Sequence, residues 1–292
     1  MMRDTCSTQT GARRGRPRRP RCALKCFVLG VALAAMSACG ASSTATPALA
    51  EVVTIAGPAD LMPLVSELAD SFAKARVTLR LQTSVAPVSE ALALLRRDST
   101  IVAVTTIRPA DADPSWGQVE LARQPISMIV HPENTVRNLT LDELSNILAG
   151  RTIDWRQVGG PAMPIMVLGR EPGAALRQRV DAILLGPGSK LTPNALLLPS
   201  DEAMVATVAR RPEAIGYITG AGGVSSVSSV TVEGEHASAL ARGRAYPLWQ
   251  SIILLSPAQP AAQMSAFLSF VKSRQGQRIV ASWGYGQGGS AP

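Results

Sequence analysis

Apolar residues recur at two alternating spacings from residue 52 onward, and these spacings predict alternating strands and helices. Short apolar runs at 52–56 and 101–105 predict buried strands, and Thr140-Leu-Asp-Glu143 is a capping box that predicts a helix start. That helix is expected to end at Ala149, before Gly150. Further strands are predicted at 77–83, 126–131, 165–168, 214–218 and 251–255, and further helices at 61–72, 88–96, 176–185, 200–208 and 263–281.

This alternation is typical of α/β layers around a largely parallel sheet, arranged either as one large sheet or as two lobes. In open α/β sheets, ligands bind beside the carboxyl ends of strands, where helices begin. Two segments fit that position, residues 57–60 and residues 170–176. In the second segment, Arg170 precedes a loop with Gly173 and a predicted helix start, which suits a small anion. The loop continues with Ala174, Ala175 and Leu176, which have no hydroxyl.

The positive charge of the chain is concentrated before residue 39. The formal net charge is +8, yet eight of the 29 basic side chains lie in residues 1–38, beside Asp4 as the one acidic residue there. From Cys39 onward, 21 basic and 20 acidic residues nearly balance. Because a nucleic-acid-binding domain needs a basic face on its folded body, no nucleic acid is expected as a partner.

Residues 1–38 have the layout of a secretory signal peptide. A basic region up to Lys25 is followed by an apolar run at 27–36 and then by small residues before Cys39. The apolar run is shorter than the roughly 20 residues that a membrane-spanning helix needs. This layout predicts export from the cytoplasm.

The residues around Cys39 resemble a lipoprotein signal. We predict that Cys39 is lipidated and anchors the protein to the membrane, and that residues 39–50 form a tether of small residues. The alternative is an ordinary signal peptide cut after Ala38 or near Ala50. In both cases the protein is expected in the cell envelope, outside the cytoplasm.

Catalytic patterns are missing from the sequence. The two histidines, His131 and His236, lie far apart, and neither has metal-ligand spacing around it. No nucleophile–base pair is recognisable, and all four cysteines lie at or before residue 39. We therefore predict a protein that is not an enzyme and has no cofactor or metal. The glycine-rich residues 284–289 are predicted to be a flexible tail, because no helix follows them.

Five short motifs, in order, resemble those of phosphate-type substrate-binding proteins of ABC importers. They lie at residues 55–64, 139–160, 170–173, 214–217 and 246–248. The resemblance implies an α/β fold of the two-lobe periplasmic binding protein type (type II). It also implies a small anionic solute, phosphate-like by family, and an ABC transporter permease as partner.

The resemblance further implies how the chain is divided. Two crossing segments, near 124–132 and 246–257, are expected to form a hinge. Lobe 1 is then predicted to comprise residues 51–124 and 250–292, and lobe 2 residues 125–249.

The same resemblance places the ligand between the lobes. The residues expected to bind it are Thr83, Ser84, Ala59, Asp60, Arg108, Arg170, Gly173 and Ala174.

Departures from the family pattern leave the ligand open. Pro58 and Ala59 stand where hydroxyl groups are usual, and Ala174 stands in the loop that normally has a serine. Asp60, if it faces the cleft, would repel phosphate and favour a cationic or zwitterionic ligand. The alternative function is a binding-protein fold with a decayed ligand site, acting as a cell-envelope interaction or sensory protein.

Overall fold

A computed structural model describes residues 52–74 and 80–289 of the protein. The predicted signal peptide, Cys39 and the tether lie outside the described residues. The strands are β1 (Val52–Gly57), β2 (Arg80–Val85), β3 (Ile101–Thr105), β4 (Gly117–Val130), β5 (Asn138–Leu139), β6 (Met166–Gly169), β7 (Leu196–Leu197), β8 (Ala214–Thr219), β9 (Ser228–Val232), β10 (Trp249–Ser256) and β11 (Gly286–Gln287). The helices are α1 (Met62–Lys74), α2 (Val88–Arg97), α3 (Leu141–Leu148), α4 (Ala175–Val180), α5 (Asp201–Val208), α6 (Ala262–Lys272) and α7 (Arg274–Ser282).

The main strands follow one another in the order β2-β1-β3-β10-β4-β8-β6-β7. Strands β1, β2 and β3 are parallel at one end, and β6, β7 and β8 are parallel at the other. At the centre, β10 runs antiparallel to both β3 and β4, and β4 runs antiparallel to β8. The expectation of a largely parallel sheet is therefore corrected to a mixed sheet. Strand β4 carries the chain across the molecule and β10 brings it back, so the two run in opposite directions.

Separate apolar cores lie toward the two ends of these crossing strands, as the predicted two-lobe α/β fold requires. One core draws its buried residues from 53–122 and 252–285 and contains Phe72 and Phe267. Another draws them from 126–248 and contains the fully buried Trp155. The first part of β4 pairs with β10, and its last five residues pair with β8. The lobe boundaries at 124/125 and 249/250 stay a prediction.

Strand β4 and the last predicted helix differ from their predicted bounds. Strand β4 begins nine residues before the predicted start at 126, because its early, more polar residues pair with β10. The helix predicted at 263–281 is two helices, α6 and α7. Ser273 separates them with an extended backbone, and its hydroxyl accepts a hydrogen bond from the N–H of Gly276 at 3.2 Å to cap α7.

The glycine-rich segment after α7 is ordered against the sheet, which corrects the prediction of a flexible tail. Strand β11 pairs with β4, and the N–H of Gly289 donates to Glu120 Oε2 at 2.7 Å. A β-carbon at Gly288 would lie 2.1 Å from the Glu120 carbonyl oxygen, so glycine permits this close approach. Within 52–74 and 80–289, no helix has both the length and the apolar character to cross a membrane.

Candidate functional site

A cavity of about 340 Å³ has walls from both predicted lobes and from the crossing strand β10. Its polar lining consists of Asp60, Thr106, Arg170, Ser200, Asp201, Glu202, Thr219 and Gln250. Its apolar lining consists of Pro58, Leu61, Val88, Ala174, Ala175 and Leu176. A larger surface cavity of about 670 Å³ beside Arg123 is lined mainly by residues 233–249. The smaller cavity lies where α1 and α5 begin, and it is hereafter called the cleft.

Arg170 follows β6 and is held in place by several neighbours. Its Nη1 donates to Asp201 Oδ1 at 3.2 Å, and its backbone N–H donates to the Tyr217 hydroxyl at 3.1 Å. Asp201 Oδ2 also accepts hydrogen bonds from the Thr219 N–H at 2.9 Å and from the Thr219 hydroxyl at 2.6 Å. The Arg170 carbonyl accepts from Arg177 Nη1 at 3.0 Å. The charge of Arg170 is therefore already matched by a carboxylate, in contrast to the free clamp expected from the sequence.

The helix that begins after Arg170 is shorter than predicted. Helix α4 has six residues, and the chain continues as a π-helical turn at Asp181–Leu185 instead of one regular helix at 176–185. Ala174 occupies the N-cap position and provides no side-chain hydrogen bond. This end of the cleft therefore has a small apolar side chain where a capping hydroxyl is common.

Carboxylates dominate the charge of the cleft. Burial raises the pKa of Asp60, and the nearby carboxylate of Asp201 adds to the rise, while backbone N–H groups and Arg170 oppose it. The pKa of Glu202 is lowered, chiefly by a hydrogen bond from Ser200. With three carboxylates and one guanidinium on its walls, the cleft is net negative at neutral pH.

Gln250 on β10 contributes a buried polar group to the same cleft. The residue is 3% exposed, and its Nε2 donates to Gln124 Oε1 at 2.6 Å. Gln124 Nε2 in turn donates to the Tyr285 hydroxyl at 2.9 Å. In the described part of the chain, Gln250 Oε1 has no hydrogen-bond partner. Sequence reasoning missed this residue because a glutamine inside an apolar strand carries no motif.

Three of the eight residues predicted to bind ligand line the cleft: Asp60, Arg170 and Ala174. The other five, Ala59, Thr83, Ser84, Arg108 and Gly173, do not line it. The residues around Ser200 were predicted as a helix start but not as part of a site. A signal did exist, because that helix was expected to begin near the edge where ligands bind.

Arg108 and Thr83 have local roles. The Arg108 guanidinium donates to Gln118 Oε1 at 3.2 Å and to the Asp113 carbonyl at 2.7 Å, which ties the loop after β3 to β4. The Thr83 hydroxyl accepts from the Ser66 hydroxyl at 3.3 Å, which joins β2 to α1. Across residues 52–74 and 80–289, no group of three or more His, Cys, Asp or Glu side chains could hold a metal ion.

Sequence comparison relates most of the chain to one superfamily. The profile of the PBP superfamily domain matches residues 41–275. The phosphate-binding protein PstS of Bacillus subtilis is 21% identical over 244 residues, which cover 80% of this chain and 79% of that protein. The PstS of Borreliella burgdorferi is 24% identical over 175 residues, which cover 54% of this chain. The chain spans 61% of the length of that relative.

Structural comparison gives the same fold. The crystal structure of an ABC-type phosphate transport receptor from Vibrio cholerae aligns with a TM-score of 0.64 and 23% identity. The alignment covers 81% of this chain and 99% of the receptor. The similarity supports the two-lobe α/β fold with two crossing segments. The relatives are named as binding proteins or receptors, in agreement with the prediction of binding instead of catalysis.

Proposed function

Because the chain belongs to the PBP superfamily, we propose that it is an extracytoplasmic protein that binds a small solute between its two lobes. The observation that carries this proposal is the cleft of about 340 Å³, whose walls come from the starts of α1 and α5 and from the crossing strand β10. A cavity of this size and position suits a small ligand that both lobes contact at once. Binding would then favour a closed arrangement of the lobes.

We further propose that the protein is a lipoprotein that delivers its solute to an ABC importer. The signal-like residues 1–38 and Cys39 support the membrane anchor, and the tether at 39–50 would hold the body away from the lipid. The names of the relatives support a transporter permease as partner.

A phosphate-like anion is the ligand that the relatives' names indicate. Arg170 and the hydroxyl groups of Thr106, Ser200 and Thr219 are the donors that could contact it in the cleft. Such an anion would have to compete with the Asp201 carboxylate for Arg170, and it would lie near the negative charge of Asp60. Phosphate-like specificity therefore stays a prediction.

Thermal unfolding of the purified full-length chain in a mild detergent tests the binding role. We expect at least one class of small solute to raise the unfolding temperature, because a ligand that binds only the folded state stabilises it by mass action. The panel comprises phosphate, sulfate, carboxylates, amines and zwitterions. X-ray scattering of the same samples should show a smaller radius of gyration when the stabilising solute is present. Absence of stabilisation by every class at millimolar concentration would contradict solute binding.

A decayed ligand site is the second candidate function, and the Arg170–Asp201 pair favours it. In that case the pair at 3.2 Å is a structural brace, and Ala174 marks a lost hydroxyl. The protein would act as a cell-envelope interaction or sensory protein. Ligand-dependent closure in the scattering experiment would exclude this alternative.

A further inference from the structure

Two side chains outside the cleft hold both backbone polar groups of Arg170. Strand β6 ends at Gly169, and the backbone of the next residue is bonded to side chains instead of to a neighbouring strand. The Arg170 N–H donates to the Tyr217 hydroxyl at 3.1 Å, and the Arg170 carbonyl accepts from Arg177 Nη1 at 3.0 Å. Neither Tyr217 nor Arg177 lines the cleft.

Tyr217 carries a hydroxyl into an apolar core. The residue lies on β8, is fully buried and packs among the apolar residues of the second lobe. Among the residues that the structure describes, its hydroxyl makes one hydrogen bond, the one from the Arg170 N–H. A phenylalanine would fill the same space without the cost of burying a hydroxyl. The polar group therefore serves the backbone of Arg170.

Arg177 is a charged side chain that is only 9% exposed. Its Nε donates to both carboxylate oxygens of Asp181, at 2.7 and 2.8 Å, and this pair four residues apart orients the guanidinium. Nη1 extends away from the pair toward the end of β6, where a β-carbon at Gly169 would lie 3.8 Å from it. The planar guanidinium thus binds a carboxylate on one side and the Arg170 carbonyl on the other.

The residue held in this way is the one whose guanidinium lines the cleft. A guanidinium has five N–H donors, and the Asp201 carboxylate accepts from Nη1 of Arg170 at 3.2 Å. Donors therefore remain for a solute. Charge-assisted hydrogen bonds require accurate placement of the donor, and a long side chain is placed accurately only when its backbone is fixed.

We propose that Arg177 and Tyr217 are positioning residues, which set the affinity of the cleft for an anionic solute by fixing the backbone of Arg170. Neither residue touches the solute. This inference rests on the proposed solute-binding function and adds to it two residues that determine affinity from outside the cleft.

Isothermal titration of the full-length chain in mild detergent tests the inference with inorganic phosphate as the probe. We expect Tyr217→Phe to weaken phosphate binding about 3- to 10-fold, because the Arg170 N–H loses its acceptor. Arg177→Lys should weaken binding at least as much, since an ammonium group cannot reproduce the fork that joins Asp181 to the Arg170 carbonyl. If Arg177→Lys fails to fold, the nearly isosteric Tyr217→Phe still decides the matter.

A destabilised control separates positioning from stability. Leu184→Ala removes a side chain that is 5% exposed from the core of the same lobe, without a contact to Arg170 or the cleft. Urea unfolding should show that this variant is less stable than the unchanged chain. Its dissociation constant for phosphate, measured where all variants are folded, should be unchanged.

Each other outcome separates the inference from the proposed function. Phosphate affinity that neither Tyr217→Phe nor Arg177→Lys changes would overturn the inference and leave solute binding intact. An equal loss of affinity in Leu184→Ala would also overturn it, because affinity would then follow stability. If the unchanged chain binds another solute but no phosphate, the inference is wrong and the proposed function stands. Absence of binding by every solute of the panel would contradict both.

Discussion

The Arg170 guanidinium links the end of β6 to α5, because it donates a hydrogen bond to Asp201 Oδ1 in the cleft. The arginine side chain is 16% exposed and the aspartate side chain 28%, so water screens the pair only in part. Asp201 also accepts two hydrogen bonds from Thr219 at the end of β8. Three elements of the second lobe therefore meet at one carboxylate, and its loss would affect all three.

The pair should contribute measurably to stability. We expect Arg170→Met and Asp201→Asn each to lower the free energy of unfolding by about 1–3 kcal/mol, because each substitution leaves a partly buried polar side chain without its partner. Urea unfolding of both variants and of the double variant gives the coupling energy. It should lie near 1 kcal/mol or above. Additive effects of the two changes would mean that the pair contributes nothing as a pair.

Asp60 should make stability depend on pH. Its folded pKa lies above the ordinary value of 3.8, so its contribution to stability is fully present below that value and is lost as pH rises through the higher folded pKa. At pH 7 Asp60→Asn should therefore melt about 1–3 °C above the unchanged protein, and at pH 3 no higher. Scanning calorimetry between pH 3 and 8 measures this. An increase of equal size at every pH would rule out the charge as its cause.

Sequence reasoning found the cation of the cleft but not the carboxylate that neutralises it. Arg170 was recognisable because a strand precedes it and a glycine-containing loop follows. Asp201 lies 31 residues further along, and its pairing depends on how β6, β8 and α5 are arranged in space. Gln250 is separated from Gln124 by 126 residues, so its free acceptor becomes visible only when both crossing strands are placed.

Local signals determined the helices better than the strands. The capping box at Thr140 is present as predicted: the Thr140 hydroxyl accepts from the Glu143 N–H at 3.1 Å, and Glu143 Oε2 accepts from the Thr140 N–H at 2.8 Å. Strand β9 was missed because its serines give no apolar run, although it pairs with β4. Strand pairing is set by distant partners, which a local pattern does not contain.

Removing the α3 cap should destabilise the protein more than removing a hydroxyl from a helix interior. We expect Thr140→Ala to cost about 1 kcal/mol, because the Glu143 N–H loses the hydroxyl that accepts its hydrogen bond, while the backbone N–H of residue 140 keeps Glu143 Oε2. The control is Thr207→Ala in α5, whose hydroxyl donates back to the Ala203 carbonyl at 2.8 Å. That change should cost less than about 0.5 kcal/mol, since alanine has the higher helix propensity. Urea unfolding compares them, and equal costs would contradict a role for the cap.

The end of β1 depends on close backbone packing. A β-carbon at Gly57 would lie 2.6 Å from the β-carbon of Val104 on β3. We expect Gly57→Ala to destabilise the protein by about 1–3 kcal/mol, because neither strand can move apart without disturbing the sheet. The control Gly159→Ser sits at a positive φ with open space around it, so it tests backbone strain alone. Chemical unfolding that leaves Gly57→Ala as stable as the unchanged chain would contradict this contact.

At the scale of the whole molecule, the residues proposed to attach the protein to the membrane are different from those that line the cleft. Solute binding is proposed from the described body, whereas membrane attachment is proposed from residues 1–50 alone. The proposed anchor and the cleft therefore depend on different residues, and each can be tested without altering the other.

Metabolic labelling with an alkyne fatty acid tests the anchor in cells. We expect label on the unchanged protein and its loss in Cys39→Ser, because the thiol is the proposed attachment atom. The control Cys26→Ser lies within the predicted signal peptide and should retain label on the mature protein. Label that persists in Cys39→Ser would exclude lipidation at that residue.

The position of β10 also determines when each half of the molecule can be completed during synthesis. Because β10 lies between β3 and β4, the sheet that begins with β1 stays open at β3 until residues 249–256 have emerged. Its core also requires Phe267 and Val280 from still later in the chain. Nearly all residues of the half that contains β6 and β8 lie before β10 in the chain. Strands β1 to β3 are therefore synthesised early but belong to the lobe whose sheet is completed last. The free edge of β3 stays exposed throughout that interval.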